Sequence, residues 1–298
     1  MKFERKNKQD NTIDKGYQGI LYPTGEQEVL IAKTLGCCRY VYNRFLSERI
    51  EAFEKEKRTL SYVEQCKELP LLKADPATLW LKEADATALQ YSVRTLQDAY
   101  DSFFRAIREG RKTGHPKFKS KREHRQSYRS VNNLNTIRLT DERHLRLPKL
   151  GEVKCRFGRK PQGRILHATV TREADGRYTV SLMCEEQEPE EAPKTGKAVG
   201  VDLGIRTLAV TSDGTQYDNP KTYANNRKRL ARAQRQLSRK KKGSGNWEKQ
   251  RRKVARLHRK IRNQRLDACH KMTHELVQKY DVICIEDLDL VQMEKSRF

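Results

Sequence analysis

Apolar and polar positions change their period repeatedly along this chain, and each change predicts an element. "GYQGILY" (16–22) reads as a short strand ended by Pro23. The period then lengthens. Leu30, Leu35, Cys38, Val41 and Phe45 recur at helical spacing, with Thr24 and Gln27 placed as a capping box at the start. A second helix is predicted over roughly 85–109, where Leu89, Val93, Leu96, Tyr100, Phe103 and Phe104 form the core stripe of a helix bundle. From 133 to 184 the period becomes two. "TIRLT", "HLRLPKL", "EVKCRFG", "ILHATVTRE" and "RYTVSLMCE" alternate and are split by turns such as "ADG" at 174–176. This predicts a small antiparallel barrel that the strand near residue 20 completes, with the helices of 25–110 as an insertion.

Past residue 196 the pattern predicts an α/β unit. "GVDLGIRTLAVTSDG" (200–214) reads as strand, tight turn and strand, with Asp202 set between Val201 and Leu203. Leu230, Ala233 and Leu237 mark one helix, and "KKGSGN" (241–246) a turn. Val254, Leu257, Ile261, Ala268, Met272 and Leu276 mark a longer second helix, making an αα-hairpin. Val282–Ile285 then reads as a buried strand with Glu286 at its end.

Charge sharpens this picture. The 298 residues carry 63 Lys and Arg against 39 Asp and Glu, a net charge of +24, which favours a polyanionic partner. Residues 221–280 alone hold 21 basic and three acidic residues, where a solvated coiled hairpin mixes both signs. Residues 102–125 hold nine basic residues against two Glu, broken by Gly110, Gly114 and Pro116. Both stretches are predicted to face nucleic-acid backbone, with strong salt dependence. The candidate phosphate contacts are Lys117, Lys119, Lys121, Arg122, Arg227, Arg229, Arg251, Arg252 and Arg259. "EEQEPEEAPKTG" (185–196) has the Glu, Pro and Gly content of a linker.

No apolar run reaches the 18 or so residues of a membrane span, and the N-terminus has no apolar signal core. The seven cysteines are scattered without a Cys-x-x-Cys pair, which predicts free thiols in a reducing, cytoplasmic setting and no zinc site.

The carboxylates carry the chemistry. A carboxylate in an apolar strand is costly unless it is paired, hydrogen-bonded or metal-bound. Two strands of one α/β domain, each with a carboxylate at an apolar run, can set Asp202 and Glu286 side by side. Neighbouring anions resist joint ionisation unless a cation lies between them. Mg²⁺ (or Mn²⁺) favours such hard oxygen ligands together with substrate phosphates, as in phosphodiester hydrolysis. On spacing alone, a polar turn near a sheet edge stands as an equal alternative.

The motifs also carry a resemblance. "AVGVDLGIRTLAVTSDG" resembles the first catalytic motif of a RuvC-like nuclease domain in the form used by TnpB (OrfB) proteins of insertion sequences, and "VICIEDLDL" resembles the second. "LYPTGEQEVLIAKTLGCCRYVYNRFL", "GHPKFKSKREHRQSY" and "RLPKLGEVK" are similar to that family as well, so the likeness covers essentially the whole chain. The resemblance implies an α+β multidomain RNA-guided DNA endonuclease. Its expected parts are a wedge β-barrel (1–24 plus 126–187), an inserted helical recognition domain with its basic loop (25–125), a linker (188–196) and a partial RuvC-like, RNase H-like domain (197–298). It implies Asp202 and Glu286 as catalytic metal ligands and Mg²⁺ or Mn²⁺ as cofactor. The implied partners are a guide RNA and a DNA target in a monomeric ribonucleoprotein, with no membrane. Gly200 and Gly204 would let backbone approach the site or bend the strand. Asp213, Asp287 and Asp289 are expected in turns.

The family pattern continues past its second motif into a zinc ribbon and a third catalytic Asp, and neither follows Glu286 here. Impaired cleavage is therefore expected. A nuclease-dead RNA-guided regulator and a decayed transposase fragment are the alternatives, and a plain basic RNA-binding protein would need neither carboxylate.

Overall fold

The computed structural model describes residues 12–189 and 193–287. The chain forms two compact units, Met1–Pro189 and Glu190–Phe298, which meet inside the Glu- and Pro-rich stretch read as a linker.

The first unit begins with β1 (Thr12–Tyr22), followed by α1 (Gly25–Glu56), α2 (Tyr62–Ala74), a 3-10 segment (Pro76–Glu83) and α3 (Ala86–Arg108). β2 (Gln126–Val131), β3 (Arg138–Leu139), β4 (His144–Leu147), β5 (Gly151–Phe157), β6 (Arg164–Arg172) and β7 (Tyr178–Gln187) follow. These strands make one seven-stranded antiparallel sheet in the order β2-β6-β7-β1-β5-β4-β3. β1 is central, pairing with β7 from Thr12↔Gln187 to Leu21↔Tyr178 and with β5 from Gly19↔Phe157 to Tyr22↔Lys154. A Cβ at Gly19 would lie 2.7 Å from the Phe157 ring, so a larger residue there would force that ring to shift. Among the described residues the ladder runs from β2 at one edge to β3 at the other, where a closed barrel was expected.

The helices do enter between the first strand and the rest of the sheet, as the change of period predicts. They share one core with the sheet. Val41, Phe45 and Leu46 of α1, Leu89, Val93 and Leu96 of α3, and Ala168, Val170, Val180 and Leu182 of the sheet belong to a single buried cluster. Phe104 departs from the predicted stripe and is exposed, and Tyr100 is half-buried. The α1 capping box forms as expected: the Gln27 N–H donates to Thr24 Oγ1 and the Thr24 N–H to Gln27 Oε1. Buried Arg49 ties the helices together by donating to Gln65 Oε1 at 2.8 Å and Gln97 Oε1 at 2.9 Å, with its guanidinium over the Tyr100 ring.

The second unit contains β8 (Ala198–Leu203), β9 (Thr207–Thr211), β10 (Gln216–Asp218), α4 (Thr222–Ser238), α5 (Gly245–Lys279) and β11 (Val282–Ile285). Its sheet runs β10-β9-β8-β11, and only the β8–β11 pair is parallel. The α4–α5 hairpin is the long crossover such a pair needs. α5 does two jobs along its length of about 52 Å. Leu257 and Ile261 pack on Leu230 and Ala233 of α4, while Leu276 and Met272 pack on Val199, Val201 and Ala209 of the sheet. β11 departs from the expected buried strand: Val282 is 53% and Ile285 67% exposed, and only Ile283 joins the core.

Candidate functional site

The parallel pair decides what the two candidate carboxylates can do. β11 runs beside β8 with Val282↔Ala198, Ile283↔Val199, Cys284↔Gly200 and Ile285↔Val201 as Cα partners. β11 ends at Ile285, and continuing its register by one residue would bring Glu286 level with Asp202 on strands about 4.8 Å apart. Side chains alternate along strands, so the pair shares a face with Gly200 and Cys284. The opposite face carries Val199, Val201 and Ile283 and is covered by α5.

The carboxylate face is open. Asp202, Val282, Cys284 and Glu286 are all exposed. Asp202 is therefore not the buried carboxylate its apolar neighbours suggest. It occupies the last position but one of β8, opposite Val210 of β9, with Val201 beside it turned into the core. The cost of desolvating a lone anion does not arise here. An exposed pair of hard oxygen donors with open positions around it is what Mg²⁺, which keeps several waters, can occupy. Among the described residues no group of three or more His, Cys, Asp or Glu could hold a metal.

The two glycines separate. A Cβ on Gly204 would lie 2.9 Å from the Thr207 carbonyl, so the β8–β9 turn requires a glycine there. A Cβ on Gly200 would meet only Ser212 at 3.7 Å, ordinary contact, so space alone does not require that glycine. Asp213 lies in the β9–β10 turn as expected. It accepts from Thr211 Oγ1, the Thr215 N–H and the Tyr280 hydroxyl, and these donors hold its carboxyl well below the usual range. Asp287 follows β11 in irregular, exposed backbone, and Asp289 lies outside the described residues.

The basic candidates divide by environment. Arg227 and Arg229 on α4, and Lys117, Lys121 and Arg122 in the basic loop, are exposed. Lys119 is drawn into the first unit: its ammonium sits 4.1 Å above the Tyr42 ring, and its backbone exchanges hydrogen bonds of 2.8 and 2.9 Å with Asn43. Burial pushes the pKa of Lys119 down. Arg251, with only 12% of its side chain exposed, grips Glu248 through Nε at 2.8 Å and a terminal nitrogen at 2.6 Å. Arg252 reaches the same carboxylate at 3.3 Å. Hydrogen bonds from Arg251 chiefly hold the Glu248 carboxyl down at about 2. Arg259 is half-buried on α5.

Sequence reasoning did not anticipate the cleft formed by α1, α3, β2 and the 119–126 segment, with a volume of about 360 Å³. Arg39, Lys119, Arg125 and Arg129 line it beside Tyr91 and Tyr128. Arg129 stacks its guanidinium over Tyr91 and donates to Thr169. The cue was available in "QSYRSV", where Tyr128 and Arg129 stand next to each other. All seven cysteines are free, and burial pushes the Cys38 thiol up to about 12. No helix among the described residues is long and apolar enough to cross a membrane.

A family profile for OrfB of IS605, described as "Probable transposase", matches residues 181–297. An associated helix-turn-helix profile matches 13–58. A "Putative RNA-guided DNA endonuclease" of Streptomyces pristinaespiralis is 37% identical over 95% of this chain and 69% of its own length. InsQ of Escherichia coli K12, carrying the same description, is 36% identical over 93% of this chain and 66% of its own length. The chain thus spans about two thirds of these relatives. Among solved structures, Cas12f1, from its complex with sgRNA and target DNA, shares the fold at a TM-score of 0.50 and 12% identity, over 96% of this chain and 83% of that one.

Proposed function

The chain belongs to the OrfB family of IS605-type transposases, and from that premise we propose that it is an RNA-guided DNA-binding protein whose second unit carries a RuvC-like nuclease site. The relatives' description as RNA-guided DNA endonucleases supports this reading. The observation that carries it is the parallel pairing of β8 and β11, which runs to Ile285↔Val201, one residue before Glu286 and Asp202.

In this reading the second unit is the RNase H-like part, and the seven-stranded sheet with its helical insertion is the wedge part. Asp202 and Glu286 hold Mg²⁺ or Mn²⁺, which relieves the repulsion between the two carboxylates. When bound, the ion supplies Lewis-acid activation of the phosphodiester and of the attacking water. The exposed residues Arg227, Arg229, Lys117, Lys121 and Arg122 draw the polyanion in. Base pairing with a guide RNA reads the sequence, while the protein reads backbone shape and a short flanking duplex. The particle is a monomeric ribonucleoprotein.

The test is to purify the chain through a high-salt wash, sequence the retained RNA and supply matching DNA. Expected are one discrete RNA species, guide-dependent DNA binding, and metal-dependent nicking that Asp202→Ala abolishes. Guide-dependent binding with no cleavage in any metal would favour a nuclease-dead regulator. Recovery of random RNA, or none, would overturn the proposal.

A further inference from the structure

The pair that sets Glu286 beside Asp202 is short, with only four matched positions on β11. Apolar burial does little to fix it, since Ile283 alone packs into the core while Val282 and Ile285 stay exposed. A two-residue slip would keep every side chain on its own face, yet it would carry Glu286 about 6.6 Å along the strand. Something other than side-chain packing must oppose that slip.

The residue before β11 has the contacts to do so. Asp281 Oδ1 accepts from the Thr195 N–H and the Thr195 hydroxyl, both at 3.0 Å, and Oδ2 accepts from the Gly196 N–H at 2.7 Å. The Asp281 N–H donates to the Lys197 carbonyl at 2.9 Å, and the Val282 N–H to the same oxygen at 3.3 Å. Gly196 is in the left-handed region at φ +70°, a conformation that lets successive N–H groups converge on one anion. The neighbouring residue fastens the other side. The Tyr280 hydroxyl donates to Asp213, whose carboxylate is already held in the β9–β10 turn by Thr211 and Thr215. The junction between α5 and β11 is thus pinned to the backbone just before β8 and to the turn beyond β9.

We propose that Asp281 is a positioning residue that sets the register of β11 on β8 and so the placement of Glu286 beside Asp202. The inference rests on the reading of those two carboxylates as a metal-holding pair. Its backbone donors at Thr195 and Gly196 also keep the Asp281 carboxyl below the usual range, so the clamp stays charged at neutral pH.

The test uses the full chain with Fe²⁺ in place of Mg²⁺. Ascorbate and peroxide then cut the polypeptide near the bound iron, and mass spectrometry maps the cuts. Wild type is expected to be cut near Asp202 and near Glu286. Asp281→Ala should keep the first cut and lose or displace the second, and its Mn²⁺ affinity should fall about 10-fold. Asp281→Glu, which keeps both oxygens, should restore the pattern, and Asp218→Asn in the same sheet should leave it unchanged. Hydrogen exchange supplies the second readout: Ile283 and Ile285 amides should lose protection in Asp281→Ala while those of Met272 and Leu276 keep it. An unchanged cutting pattern with unchanged exchange overturns the clamp. Wild type cut at neither strand overturns the metal-pair reading instead. Should Asp281→Ala unfold the unit, Thr195→Ala removes one donor alone and must weaken the Glu286 cut, or the proposal fails.

Discussion

Lys119 and Lys121 stand two residues apart in one basic loop, and the structure gives them different surroundings. The Lys121 side chain is exposed. Lys119 places its ammonium over the Tyr42 ring at 4.1 Å, and burial lowers its pKa. The reciprocal bonds between Lys119 and Asn43 hold the strap against α1. Replacing each lysine by Gln should therefore separate two properties that a basic stretch normally mixes. A desolvated cation–π contact is worth about 1–2 kcal/mol. In a unit of this size that corresponds to a fall in melting temperature of about 2–8 °C for Lys119→Gln. The same variant should leave the salt slope of RNA binding unchanged, because its charge is already committed to Tyr42.

Lys121→Gln should do the reverse. An exposed substitution changes stability by less than about 0.5 kcal/mol. Losing one phosphate contact lowers the slope of log K against log salt by about 0.7 on single strands or 0.9 on duplex. The assay is a binding isotherm for one RNA of fixed sequence across a salt series, with calorimetric melting of each variant. A Lys119→Gln protein that melts like wild type and loses a full phosphate unit of slope would refute the reasoning.

Two further outcomes are expected. Burial first, and the nearby Arg129 charge second, push the His167 pKa down from 6.5 to about 4. The unfolded chain then binds a proton that the folded chain does not, so stability is full above about pH 6.5 and is lost as pH falls toward 4, by about 1–2 kcal/mol once solvent screening is allowed for. Denaturant midpoints against pH should show this slope and lose it in His167→Gln; parallel curves would contradict it. In the second unit, Leu276 is 4% exposed and anchors α5 on a sheet core with few other buried members. Leu276→Ala should cost about 2–5 kcal/mol and strip exchange protection from β8, β9 and β11, while the Leu230–Ile261 packing keeps its own. A uniform loss along all of α5 would show that the two cores are one.

Where local pattern and tertiary environment agree, the fold was legible. α1 carries a Thr24–Gln27 box and a continuous apolar stripe, and both are realised. α2 was missed because Pro70 interrupts "CKELPLLKA", although the Ser61–Glu64 capping box at its start was there to be read. β2 was hidden inside a basic run, because an edge strand needs only one apolar row and "QSYRSV" supplies Tyr128 alone as a large one. Asp202 illustrates a different limit. Its apolar flanks were read as an apolar surround, but flanking strand residues point the other way, so Val201 is buried while Asp202 is exposed.

The candidate site exposes the deeper reason. Residue types and spacing identify Asp202 and Glu286 as a possible pair, but a pair exists only in one register, and register is a nonlocal quantity. β11 has too little buried side chain to choose that register by hydrophobic pattern alone. The choice falls to hydrogen bonds between Asp281 and Thr195, 86 residues away along the chain. No periodicity in "YDVICIEDLDL" separates Asp281 from Asp287 as the carboxylate that matters to geometry. That distinction comes from the backbone turn at Thr195 and Gly196, which presents its donors to one and not the other. Within this unit, the acid that organises the site need not be the acid that performs its chemistry.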